Sequence, residues 1–281
     1  MASAMLIFGT LAPFVRMVGV SSGELALCRA LLAATLVGVF LLVTKQKIPV
    51  ANIKKELLLL VLSGAAMGVN WILLFEAYKY TTVSVATLSY YFAPVIVMIV
   101  CPIIFKEGLT PKQIICFVMS TAGLVLITGT SGGGESDLLG ILFGLGAALF
   151  YATVVLLNKF IKGVTGIHRT FVQFISAIVI LVPYVAFTSG FDLSSLDKSG
   201  WLALLVVGLV HTGITYCMYF YALKDLPGRQ VAILSYIDPL VAVLVSVVWL
   251  CEGITIPQIV GGIMILGFTL WCELPGKNKN K

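Results

Sequence analysis

Asp238 has the clearest chemical potential in this sequence. It precedes Pro239 inside an otherwise uncharged run, residues 230–251. If that run crosses a bilayer, a carboxylate near its centre costs about 2.5–3.5 kcal/mol on insertion scales and marks a functional site by default. Asp238 could hold a cationic group of a solute, or take up a proton and couple solute movement to a proton gradient. The structural alternative is a cap on backbone loosened by Pro239, or a pair with Arg29. The residue 145 positions earlier is Ala93, so the position itself does not demand an acid.

Pro94 and Pro239 stand at matching places. A proline frees a backbone carbonyl and bends a helix, and membrane helices tolerate this where neighbours or a cavity satisfy the freed group. Tyr90, Tyr91 and Tyr236 lie just before these prolines. A kink lined by tyrosines is a candidate pocket; packed or lipid-facing aromatics are the alternative. Asn70 and Trp71 recur 145 residues later as Thr215 and Tyr216. Such polar-plus-aromatic pairs suit a cavity for amphipathic solutes. The substrate-binding candidates are therefore Asn70, Trp71, Tyr90, Tyr91, His211, Tyr216, Tyr236 and Asp238. Asp238 is the coupling candidate, and Pro94 and Pro239 are the kinks.

His211 reads equally as a proton-sensitive group or as an interhelical hydrogen-bonder. Asn158 and Gln173 are further polar candidates. Arg29 either snorkels outward or meets an anionic solute group. Glu76 and Lys79 are spaced for an i, i+3 ion pair.

Other chemistries lack their residues. No G-x-x-x-x-G-K-[ST] occurs, so this chain has no ATP-binding motif. The six cysteines lie in or beside apolar runs without metal-ligand or C-x-x-C spacing, which predicts no metal, no disulfide framework and no cofactor. No G-x-S-x-G or H-E-x-x-H is present, and the acids are scattered, so a membrane-embedded enzyme is disfavoured. The net charge of +6 does not read as nucleic-acid binding, because the basic residues fall in short loops between apolar runs.

The elements that carry these residues follow from composition. The chain is 60% hydrophobic and 11% charged, with mean hydropathy +1.09. Soluble domains hold about 25% charged residues, so the partner of this surface is a lipid bilayer. Ten runs approach the ~20 residues of a spanning helix: 3–20, 24–44, 57–78, 82–105, 111–129, 138–158, 169–188, 200–222, 229–250 and 256–272. The runs lack the alternation of a barrel strand. No Lys or Arg precedes Arg16, so the first run reads as a retained span and not a signal peptide.

Residues 75–113 and 220–258 align without a gap: Phe75 with Phe220, Lys79 with Lys224, Tyr91 with Tyr236, Pro94 with Pro239, and Glu107, Gly108, Thr110 and Gln113 with Glu252, Gly253, Thr255 and Gln258. One long period means two copies of one unit. The expected units are residues 1–130 and 138–274, joined by a linker at 131–137 and followed by a basic cytoplasmic tail at 275–281. Five spans per unit turn the second copy upside down. Charge tests this. With the N-terminus inside, the inner side holds Lys45, Lys47, Lys54, Lys55, Lys106, Lys112, Lys159, Lys162, Arg169, Lys224, Arg229, Lys277, Lys279 and Lys281. The outer side holds Arg16, Lys79 and Lys198. That bias predicts cytoplasmic termini. Inverted repeats are a transporter architecture with the substrate near the midplane. The Glu-Gly ends read as helix hardware: glycine ends a helix, and Thr110/Gln113 and Thr255/Gln258 form capping boxes for the next. Gly64/Gly68 and Gly140/Gly144 are close-packing faces, weak pointers to a dimer.

These features, with the run SYIDPLVAVLVSVVWLCEGITIPQIVGGIMILG, resemble the drug/metabolite transporter superfamily, in particular its EamA-type members. The resemblance covers essentially the whole chain. It implies an all-α membrane protein of ten transmembrane helices in two inverted five-helix repeats. Helices three, four, eight and nine, with parts of one, two, six and seven, would surround a cavity, with five and ten peripheral. The expected function is secondary transport of a small metabolite, an amino acid or related solute, exported across the inner (plasma) membrane. Uptake by the same fold is the alternative, and a non-transporting sensor or a membrane enzyme is the more distant one.

Overall fold

The computed structural model describes residues 1–46, 49–105, 109–129, 135–194, 196–223, 226 and 234–274, and these residues form helices with no strand among them. Ten membrane helices follow in order. α1 comprises Ala2–Gly9 and Leu11–Met17, α2 is Ser22–Val43, α3 is Val50–Tyr80, and α4 comprises Val83–Tyr90 and Ala93–Phe105. α5 is Pro111–Gly129, α6 is Glu135–Phe160, and α7 is Gly166–Thr188. α8 runs through Lys198–Leu205, a π-helical stretch Val206–Ile214, and Thr215–Leu223; α9 is Ile237–Val248 and α10 is Ile256–Glu273. Seven of these are long and apolar enough to span a bilayer, and the first, fifth and ninth are shorter apolar helices. α1–α5 and α6–α10 are two inverted five-helix repeats.

Residues 135–137, expected in the linker, are the first turn of α6. The Glu107–Gly108 turn, the glycines at 132–134, Lys47, Lys106, Lys224, Arg229 and the tail 275–281 lie outside the described residues.

The caps form as the sequence predicts. In the second repeat Thr255 and Gln258 make a reciprocal capping box. In the first, Gln113 Oε1 accepts from the Thr110 amide at 2.8 Å, and the Gln113 amide donates to Thr110 Oγ1 at 3.3 Å. A capping box at Ser21 and Glu24 starts α2. Each satisfies amides that no helix turn can reach.

Where helices break, the sequence explains it. Pro13, Pro94 and Pro239 each lack an amide proton, so the carbonyl four residues back loses its helical partner. α1 breaks at Thr10, α4 at Tyr91 and Phe92, and the ninth span at Tyr236. α5 and α10 pack on one another so closely that a Cβ on Gly123 would lie 2.6 Å from the Gly261 carbonyl oxygen. The main core joins α1, α2, α3, α7 and α8. Large apolar side chains such as Leu42, Phe187 and Val248 are exposed and form the lipid-facing surface.

Candidate substrate site

The α4 and α9 breaks bring the two repeats into contact through polar atoms. Tyr91, at the α4 break, donates its hydroxyl to Oδ2 of Asp238 in the first turn of α9. Tyr90 packs edge-on against Tyr91 at 5.7 Å and against Tyr151 of α6 at 5.6 Å. α1 crosses α9 at this point. A Cβ on Gly9 would lie 2.7 Å from the Asp238 carbonyl oxygen and 2.6 Å from Val241 Cβ, so only glycine permits this approach.

Arg29 of α2 meets α8 and α3. It is 4% exposed, and its Nε donates to Thr212 Oγ1 at 2.6 Å. Its guanidinium lies 4.5 Å from the Trp71 ring centroid and 5.6 Å from that of Phe75. A line of rings continues from Trp71 to Phe174 at 5.8 Å, to Tyr216 at 5.4 Å, and to Phe8 at 5.4 Å. Arg29 and Asp238 do not pair with each other: among the described residues, the ion pairs are Arg16–Glu252 and Lys79–Glu76. The alternative of an Arg29–Asp238 pair is not seen; Asp238 accepts from Tyr91 instead.

The π-helical stretch of α8 aims consecutive side chains differently. Thr212 and Thr215 return their hydroxyls to carbonyls five residues back, Val207 and Val210. His211 points at α1 instead. Its Nε2 lies 3.1 Å from Thr10 Oγ1, its Nδ1 lies 3.2 Å from the Val206 carbonyl, and its ring meets Phe14 at 5.1 Å. Both ring nitrogens therefore have partners in the helix pair α1–α8.

Several candidates lie away from the cluster or are committed to packing. Asn70 donates to the Ala147 carbonyl at 2.7 Å and ties α3 to α6. Gln173 donates to Asn158 Oδ1 at 2.8 Å and also reaches Ser63, joining α7, α6 and α3. Tyr236 has a buried hydroxyl with no hydrogen-bond partner among the described residues. The glycine faces serve packing within the chain. Gly64 meets Ser176 and the Gln173 carbonyl on α7, whereas Gly140 and Gly144 meet Thr81 and Ser89.

A second polar centre was not expected. Arg16, at the end of α1, pairs with Glu252 beyond α9. Its Nε donates to the Tyr78 carbonyl at 3.1 Å and its Nη2 to the Thr81 carbonyl at 2.9 Å. Glu252 also accepts from the Val83 amide at 2.8 Å and from the Ser246 hydroxyl. This knot fastens one end of α1, α3, α4 and α9. The sequence read Glu252 only as part of a helix-capping turn. The available signal was Arg16 itself, a cation on the side that holds few, facing the same side as Glu252. Beside the knot, a cavity of about 420 Å³ is lined by α1, α2 and α3 residues including Arg16, Leu25, Phe75 and Tyr78. Another of about 450 Å³, lined by Met1, Ser3, Met218 and Tyr221 among others, lies at the opposite end of α1.

The sequence pattern of the EamA-like transporter family matches residues 1–129 and again 138–272. The chain belongs to the EamA-like transporter family. Similar members include the uncharacterized transporter YxxF of Bacillus subtilis, 30% identical over 94% of this chain and 85% of its own length. An uncharacterized transporter of Archaeoglobus fulgidus is 29% identical over 70% of each chain. Protein PecM of Dickeya dadantii is 25% identical over 85% of this chain and 80% of its own. A crystal structure superposes on this family member with a TM-score of 0.65 at 20% identity, covering 95% of this chain and 92% of that one; this shows the fold alone. At the level of the family, the chain is a multi-pass membrane transporter of a small molecule.

Proposed function

We propose that this EamA-like transporter is a secondary active exporter of a small metabolite, an amino acid or related solute. It works by alternating access around a midplane site where the two repeats meet. The observation that carries this reading is the Tyr91–Asp238 contact. It joins the repeats at two proline breaks, with the rings of Tyr90 and Tyr151 packed beside it. Polar groups at broken helices near the midplane are what a carrier needs to replace a solute's hydration. Transport then requires the repeats to rock about this contact.

The positive-inside charge bias supports cytoplasmic termini, and we read the chain as one of the inner (plasma) membrane. In that orientation the Arg16–Glu252 knot lies on the outer face. It ties α1 and α9 to the α3–α4 turn, so release to the outside requires it to open. Asp238 is the residue assigned to coupling. A carboxyl that alternates between Tyr91 and a proton links the two steps of the cycle.

The test is flux through purified protein in liposomes, against a broad metabolite panel, with and without an imposed pH gradient. Gradient-dependent movement of one solute is expected, and Asp238→Asn should abolish the gradient dependence while leaving folded protein. If no solute moves under any gradient, the reading fails.

A further inference from the structure

We infer that Arg29 and Thr212 form the subsite for the carboxylate of the transported solute, a role that rests on the amino-acid export reading above. A guanidinium offers five N–H donors in a planar fork. Nε is already engaged by Thr212 Oγ1 at 2.6 Å. Thr212 gives its own proton to the Val207 carbonyl at 2.8 Å, so its oxygen serves Arg29 as an acceptor and nothing else. Trp71 and Phe75 hold the plane by their faces, at 4.5 and 5.6 Å. That leaves the Nη1–Nη2 edge as the bidentate face, the geometry that matches a carboxylate.

The charge is uncompensated among the described residues. No carboxylate pairs with Arg29 among the described residues. Asp238 accepts from Tyr91. Glu24, on the same helix, accepts from the Ser21 amide at 3.1 Å and the Asp192 amide at 2.8 Å. Aromatic faces attract a cation but do not neutralise it. A buried, unpaired charge in the bilayer is costly to keep, so a transient anion supplied by the cargo accounts for its retention. Two further observations agree. Thr212 reaches Arg29 from a π-helical stretch, a local irregularity frequent at functional sites. The cavity beside the knot reaches Leu25, one turn before Arg29 on α2, and Phe75, whose ring the guanidinium faces.

The test compares each common amino acid with its α-carboxamide, by thermal stabilisation of the purified full-length protein. The two members of a pair share shape and ammonium group and differ in the negative charge. At least one amino acid should stabilise the protein, with its carboxamide binding about tenfold or more weakly. Arg29→Gln should erase that acid-over-amide preference, and Arg29→Lys should restore part of it. Should Arg29→Gln fail to fold, Thr212→Val and the acid–amide comparison on the unaltered protein decide. Equal binding of acids and amides, or an unaltered preference in Arg29→Gln, overturns the subsite. If liposomes move only solutes without a carboxylate, the subsite and the amino-acid assignment fall while secondary transport of a small metabolite stands. If they move nothing, both fall.

Discussion

Arg16 and Arg29 carry the same charge, and the fold treats them oppositely. Arg16 meets one carboxylate and two carbonyls, and its side chain keeps 32% of its exposure. Arg29 is deeper, with one hydroxyl, two aromatic faces and no carboxylate among the described residues. A satisfied charge at a helix end is a fastener. A charge kept buried and unsatisfied needs a partner that comes and goes. The difference teaches that in a membrane protein the partner list separates structure from function better than depth does.

The largest break in this comparison should come from Arg16→Leu. It leaves Glu252, whose side chain is 11% exposed, without its cation, and frees the Tyr78 and Thr81 carbonyls. Removing one partner of a buried pair typically costs 3–5 kcal/mol, and the partial exposure here brings the expected loss to about 3 kcal/mol. Unfolding in detergent measures it. Glu252→Gln should lose a similar amount, and the double variant should lose clearly less than the sum. Full additivity would show that the two do not act as one unit.

Next in size is Gly9→Val. The added Cβ would meet Val241 Cβ at 2.6 Å and the Asp238 carbonyl at 2.7 Å, so α1 must move off α9. Overpacking of this kind costs about 1–3 kcal/mol. Because the displaced backbone is that of Asp238, solute binding should weaken in the variant that remains folded. A fully stable Gly9→Val protein with unaltered binding would mean that this crossing does not position the aspartate.

Arg29→Leu should behave unlike Arg16→Leu. Replacing a buried ion by an apolar side chain is often neutral or stabilising, and Thr212 keeps its bond to Val207. A stability change within about 1 kcal/mol is expected, together with loss of solute binding. If Arg29→Leu instead unfolds as readily as Arg16→Leu, both arginines are fasteners.

Much of this architecture was readable before any coordinates. The ten spans followed from hydropathy, their inversion from the odd number per repeat, and the Thr255–Gln258 box from local capping rules. Asp238, Tyr91 and the prolines stood out because an acid or a proline is anomalous in an apolar run. What stayed hidden were partners far apart in sequence. Nothing local links Arg16 to Glu252, or Arg29 to Thr212. Repeat symmetry also misled in places. Tyr236 matches Tyr91 in sequence, yet its buried hydroxyl finds no partner among the described residues while Tyr91 meets Asp238. Asn70 matches Thr215, yet its amide ties α3 to the Ala147 carbonyl. Equivalent positions in two inverted copies meet different neighbours once the helices between them differ.

The smallest effect belongs to the pair the sequence predicted most directly. Lys79 Nζ lies 3.1 Å from Glu76 Oε1, one turn apart on α3, with side chains 47% and 26% exposed. Water and salt screen such a pair, and exposed helix pairs contribute about 0.3–0.5 kcal/mol. Lys79→Ala should therefore shift stability by no more than about 0.5 kcal/mol, and raising the salt should erase even that. The same salt should leave most of the Arg16→Leu loss in place. Screening at high ionic strength reaches exposed charges far more than enclosed ones, and the Arg16 pair is held by backbone carbonyls and amides that salt does not displace. Equal salt sensitivity of the two variants would reduce the Arg16 knot to an ordinary surface ion pair.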